Sequence, residues 1–135
     1  MAKVLLQQHP DIHLTTQLDD AYIDAASGEY DVVIRIGKLE DSRLIARRLE
    51  NVRLIAVAAP AYLEEYGTPH EPAALSAHQC LHYTNVSHRE GWRFYDADGA
   101  ETHVQVREPL CANNGEVLMQ AALHGMGIVL LPDFI

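Results

Sequence analysis

Cysteine, tryptophan and positive charge are all scarce in this chain. There are two cysteines, Cys80 and Cys111, in 135 residues, and neither lies in a CxxC pair. A disulfide between them is open but without support, and an intracellular chain keeps both thiols reduced, as small buried residues. Lysine and arginine total 10 against 19 aspartates and glutamates, for a formal net charge of −9. Nucleic-acid binding needs a basic surface that neutralises phosphates, so this chain alone is expected to be repelled by DNA. No apolar run approaches the roughly 20 residues that cross a bilayer. The opening MAKVLLQQHPD has neither the apolar centre nor the small-residue cleavage site of a signal peptide, so a cytoplasmic location is the default expectation, without a membrane partner. GxSxG, HExxH, GxGxxG and the P-loop are all missing, which leaves enzymatic catalysis without a motif.

What is present describes a globular domain. Hydrophobic residues make up 48% and charged residues 21%, a composition that can bury a core of modest size. Ala2, Leu5 and Leu6 predict the end of a helix, which Pro10 stops. Ile12, Leu14, Thr16 and Leu18 alternate as a strand requires. Asp19 and Asp20 are placed to cap a helix carrying Tyr22, Ile23 and Ala26, and Gly28 ends it. The segment from Asp31 to Ile36 is apolar enough for a parallel strand covered on both faces. Together these predict a βαβ unit, followed by an extended segment from Leu44 to Leu49.

The second half is punctuated more clearly. Leu54–Ala58 predicts a strand, and Pro60 opens a helix that Gly67 closes. A helical turn over Ala73–Ala77 leads to a short strand, Cys80–Thr84. Trp92–Tyr95 and Glu101–Val106 predict a hairpin, turned at Asp98-Gly99. Asn113 and Glu116 read as a capping-box-like pair. Val117, Leu118, Ala121, Ala122 and Leu123 then form the apolar face of a helix ended by Gly125 and Gly127. Ile128–Leu131 is a final buried strand, closed by Pro132.

Several groupings bear on chemistry. Asn113-Asn114-Gly115 lies at a helix N-terminus, where free N–H groups and the dipole favour a carboxylate; simple capping explains the same residues. His78, Cys80 and His82 share one face of an extended chain, but no fourth metal ligand accompanies them, so no metal is expected. Ser87 and His88 are adjacent and cannot readily face each other, which argues against a triad with Asp96 or Asp98. Tyr83, Trp92 and Tyr95 suit either ligand stacking or a core. Arg43, Arg47, Arg48 and Arg53 alternate with apolar residues, as on an exposed strand face or in pairs with carboxylates.

Taken in order, GEYDVVIRIGKLEDSRLIARRL, LIAVAAPAYLEEYGTP, HQCLHYTN, WRFYDADG and CANNGEVLMQAALHGMGIVLLPDF resemble the effector-binding domain of LysR-type transcriptional regulators. The resemblance spans nearly the whole chain. It implies an α/β, periplasmic-binding-protein-like (type 2) fold with two subdomains and crossing strands, here truncated at both ends. Residues 1–48 with 128–135 would form an incomplete first subdomain, and 49–127 the second. By the same resemblance, the family's winged helix-turn-helix, its linker helix and the first strand of the effector domain are expected to lie outside this stretch of sequence. Without that strand the first subdomain would be open, distorted, or completed by a partner through strand addition.

The resemblance also implies what the chain binds. Effector contacts carried over position by position are Ile36 and Gly37, Thr84 and Asn85, and Asn113, Asn114 and Gly115. It implies a small-molecule effector, a carboxylate or an aromatic compound, with no cofactor and no catalytic residue. A homodimer or higher homo-oligomer is expected, with DNA bound only through the missing N-terminal domain of the intact regulator. A solute-binding protein of similar fold is the alternative.

Overall fold

A computed structural model of the chain describes residues 2–21, 23–37, 42–85 and 91–135. The elements in order are α1 (Ala2–Gln8), β1 (Leu54–Val57), α2 (Pro60–Tyr66), a 3-10 turn (Pro72–Ala77), β2 (Gln79–Tyr83), β3 (Trp92–Tyr95), β4 (Glu101–Val104), β5 (Arg107–Ala112), α3 (Gly115–Leu123) and β6 (Ile128–Pro132).

Four strands form a mixed sheet in the order β1-β6-β2-β5. β2 pairs in parallel with both β5 and β6, and β1 lies antiparallel to β6. Alternation along the two central strands supplies a core on each face. Cys80 and Ile128 point to one face, where they pack with Tyr62, Leu75, Trp92 and Val104. Leu81, Val129 and Leu131 point to the other, against Leu118, Ala121 and Ala122 of α3. One face is therefore covered by α2, the 3-10 turn and the β3–β4 hairpin, and the other by α3.

Local chemistry explains the elements. Pro60 starts α2, where its missing N–H has no partner to lose, and Gly67 ends it with φ 85°. In the hairpin, Trp92 opposes Val104 and Tyr95 opposes Glu101. The Asp96 carboxylate accepts the N–H groups of Asp98 and Ala100 at 2.9 and 2.8 Å, which tightens the turn around Gly99. Tyr62 ties α2 to β2. Its hydroxyl accepts the Gln79 N–H at 3.0 Å and lies 3.2 Å from Nδ1 of the buried His78. Tyr62→Phe therefore takes the partner from two polar groups at once. The expected loss is about 2 kcal/mol, read as a shift in the urea midpoint at unchanged slope.

The first half departs from expectation. The described residues of 12–37 contain neither helix nor strand, and 42–53 contain no strand, so the βαβ unit and the Leu44–Leu49 strand are not formed. Val32, Ile34 and Ile36 are 78%, 67% and 59% exposed. A strand persists only when neighbours take its backbone groups and cover its side chains. Among the described residues no strand pairs with this segment, and only Val33 and Arg35 are partly covered. Ile128–Pro132 is a central strand between β1 and β2.

β5 is an element that the sequence pattern hid. Pro109 lies in its middle, and proline cannot donate to a ladder. The strand is tolerated because it is the sheet edge, and the register slips by one residue there: Gln79 faces Arg107, but Leu81 faces Leu110. The helix cap also moves by one. Asn114, not Asn113, caps α3, its Oδ1 accepting the Val117 N–H at 3.1 Å. Glu116 thus occupies the second helical position and pairs with Gln120 at 3.4 Å, outside a capping box.

Candidate functional site

The parallel strands β2, β5 and β6 end together. In open α/β sheets the region beyond the carboxyl ends of strands is where ligands collect. The ladder continues one step past β2, with Thr84 N–H donating to the Ala112 carbonyl at 2.9 Å. This places Thr84 and Asn85 beside Asn113, Asn114 and Gly115 at the start of α3. The Asn85 amide reaches the Asn113 carbonyl and the Tyr83 hydroxyl, each at 3.3 Å. Ile135, just past β6, brings its side chain near Gly115, where an added Cβ would sit 3.7 Å from Ile135 Cδ1.

Asp20 completes this polar cluster. Its Oδ2 accepts the Asn114 amide at 2.8 Å, and its carbonyl accepts from the Asn85 amide and, at 3.4 Å, from the Tyr83 hydroxyl. The local pattern marked Asp20 only as a helix cap. Nothing nearby in the sequence signalled a partner across 94 residues. Five sequence-predicted positions, Thr84, Asn85, Asn113, Asn114 and Gly115, come together. Ile36 and Gly37 are not joined to them by any described hydrogen bond; Ile36 is exposed, and a Cβ on Gly37 would meet nothing within 4 Å.

The cluster's chemistry is that of recognition. Neutral amide donors, two hydroxyls and a helix N-terminus can hold an anionic or polar ligand. A cavity of about 70 Å³ lies elsewhere, lined by Val57, Ala59, Met119, Ala122, Leu123 and Leu131. Its lining is apolar, and it is well below the roughly 300 Å³ at which ligand pockets begin.

The other sequence candidates resolve individually. Cys80 is fully buried in the core, which pushes its thiol up to about 12, with Glu108 adding to the rise. Cys111 is exposed, contrary to the expectation of two buried thiols, and both cysteines are free. His78 is held by Tyr62, and His82 lies 3.2 Å from Glu108. Among the described residues, no three metal-ligating side chains are grouped to hold an ion. Trp92 belongs to the core, while Tyr95 is exposed. Ser87 and His88 lie outside the described residues. Arg53 pairs with Asp133 at 3.0 Å. The Arg53 side chain, through this hydrogen bond, holds the Asp133 carboxyl below its ordinary value.

Comparison with known proteins gives the family. The model of the LysR substrate binding domain matches residues 1–135. The transcriptional regulator CrgA of Neisseria meningitidis serogroup B is 35% identical over 129 residues, covering 96% of this chain and 42% of that protein. The transcriptional activator AaeR of Escherichia coli is 30% identical over 128 residues, covering 95% and 41%. The solved CrgA regulatory domain superposes with a TM-score of 0.80 at 34% identity, covering 98% of this chain and 64% of that one. The full-length virulence activator AphB of Vibrio cholerae gives 0.79 at 30% identity, covering 98% and 44%. This chain therefore spans about two-fifths of the length of the curated relatives it matches. These relatives are transcriptional regulators, and they do not favour the solute-binding alternative. The chain belongs to the LysR substrate-binding domain family.

Proposed function

We propose that this chain is the ligand-sensing part of a LysR-type regulator, binding a small-molecule effector that controls transcription by the intact protein. The observation that carries this is the convergence of Thr84, Asn85, Asn113, Asn114 and Gly115 at the carboxyl ends of parallel strands. Amide donors beside a helix N-terminus suit a small carboxylate, and the exposed Ile36 and Ile135 suit an aromatic portion. Ile36 and Gly37 belong to the same reading as the opposite wall of the site. It also includes the periplasmic-binding-protein-like arrangement of two subdomains, with residues 54–132 as one of them. Segments 12–18 and 32–36 would be strands of the other once paired with neighbours. Self-association, a cytoplasmic location, and DNA contact through a separate domain of the intact regulator complete it. Control requires an effector that binds two arrangements of the regulator unequally.

The test is a thermal-shift screen of small carboxylates against the chain and its Asn85→Ala and Asn114→Ala variants. A ligand at about a hundred times its Kd stabilises the chain by about 2.7 kcal/mol. That gain is expected to vanish in Asn85→Ala and to fall at least tenfold in affinity in Asn114→Ala, about 1.4 kcal/mol. Tight, salt-sensitive DNA binding by this chain alone, or stabilisation indifferent to both variants, would overturn the proposal.

A further inference from the structure

Side-chain donors that an effector carboxylate would use are in part engaged by the chain itself. Asn114 Nδ2 donates to Asp20 Oδ2 at 2.8 Å, and Asn85 Nδ2 donates to the Asp20 carbonyl. The Tyr83 hydroxyl reaches the same carbonyl at 3.4 Å. These contacts join partners 63 to 94 residues apart, so they are tertiary and not turn geometry. Asp20, Asn85 and Asn114 are all exposed. Water therefore competes for every bond, and the contact is weak enough to exchange. The described residues between Asp20 and β1 form no regular element, so no helix or strand resists movement of the segment that carries Asp20.

We propose that Asp20 is an internal competitor for the effector: it latches the 19–21 segment onto Asn114 and Asn85, and a carboxylate-bearing effector binds by displacing it. This rests on the reading of the cluster as the effector site. Two carboxylates cannot share one amide donor without repulsion. Effector arrival thus releases the segment from α3 and couples occupancy to a movement of the chain. The cost of the latch appears in the affinity. If it is closed about 80% of the time, the apparent Kd is raised roughly fivefold.

The full chain is titrated with propionate and with neutral propionamide, following the side-chain amide resonances of Asn85 and Asn114. Asp20→Ala, which removes the carboxylate held by Asn114 but keeps the carbonyl, is expected to bind both probes more tightly than the parent chain, by up to roughly fivefold. Asp20→Asn keeps an acceptor oxygen and is expected to stay near the parent for propionamide. Asp19→Ala removes a neighbouring like charge while leaving the latch, and is expected to match the parent. Equal affinity of Asp20→Ala and the parent, with binding lost in Asn114→Ala, overturns the latch and leaves the site standing. An improvement confined to propionate and reproduced by Asp19→Ala also overturns it, since bulk charge then explains the gain. If neither probe moves the Asn114 resonance in any variant, the effector-site reading fails and the latch falls with it.

Discussion

Gly127→Ala is expected to destabilise the fold by about 3 kcal/mol, the sum of backbone strain and a steric collision. Gly127 has φ 153°, and a Cβ built there would lie 2.5 Å from the Gln79 carbonyl oxygen and 3.0 Å from its carbon. Both atoms are backbone, so no side chain can swing away to make room. Gln79 opens β2, and the next residue, Cys80, is in register with Ile128 of β6. Any shift that relieves the clash therefore separates the two central strands. Gly125→Ala is the control: its φ is 76°, but nothing lies within 4 Å of the added carbon. It is expected to cost about 1 kcal/mol, from conformation alone. Thermal unfolding reads the difference, with the Gly127 variant falling roughly 10 °C. Equal midpoints for the two variants would mean that β6 does not approach β2 this closely.

Trp92→Ala is expected to cost about 4 kcal/mol, a large share of the stability of a small domain. The side chain is 1% exposed and packs among Tyr62, Leu75, Cys80, Val104 and Ile128. It joins the β3–β4 hairpin to the sheet. A two-stranded hairpin is marginal alone in water, so losing this anchor is expected to free the hairpin as well as empty a cavity. Circular dichroism in urea measures the effect, because this is the only tryptophan of the chain and its fluorescence goes with it. Tyr95→Ala, at an exposed position of the same hairpin, is expected to change stability by under about 0.5 kcal/mol. A Trp92→Ala variant as mild as Tyr95→Ala would show that the hairpin does not dock on the core.

The second half of the fold was legible because its signals are local. Pro60 and Gly67 bracket a helix by backbone chemistry alone, and Asp98-Gly99 marks a turn whichever sheet the hairpin joins. Errors arose where neighbours decide. β5 is not legible locally, since Pro109 in its middle opposes a strand and only the edge position removes the objection. Asn113 and Asn114 are equally good caps on paper. The choice of Asn114 follows from where Leu118, Ala121 and Ala122 must face to meet Leu81 and Val129. Segments 12–18 and 32–36 have patterns suited to strands, but a pattern records the capacity to pair and does not supply the neighbour.

The candidate site divides in the same way. Asn85 came only from the family resemblance, whereas Asn113 and Asn114 were visible in the sequence because polar amides mark a helix N-terminus, where free N–H groups favour an anion. Asp20 was not, since its bonds to Asn85 and Asn114 cross 65 and 94 residues. By itself, the sequence determined the alternation that sends Cys80 and Leu81 to opposite faces of β2, the breaks at proline and glycine, and the acidic balance of the chain. These follow from backbone geometry and formal charge, which each residue carries wherever it lies. Only the tertiary structure decided which strand ends meet, which asparagine caps α3, and that Asp20 occupies the donors there. Such contacts depend on distances that loop closure and packing set together, and no local pattern encodes them.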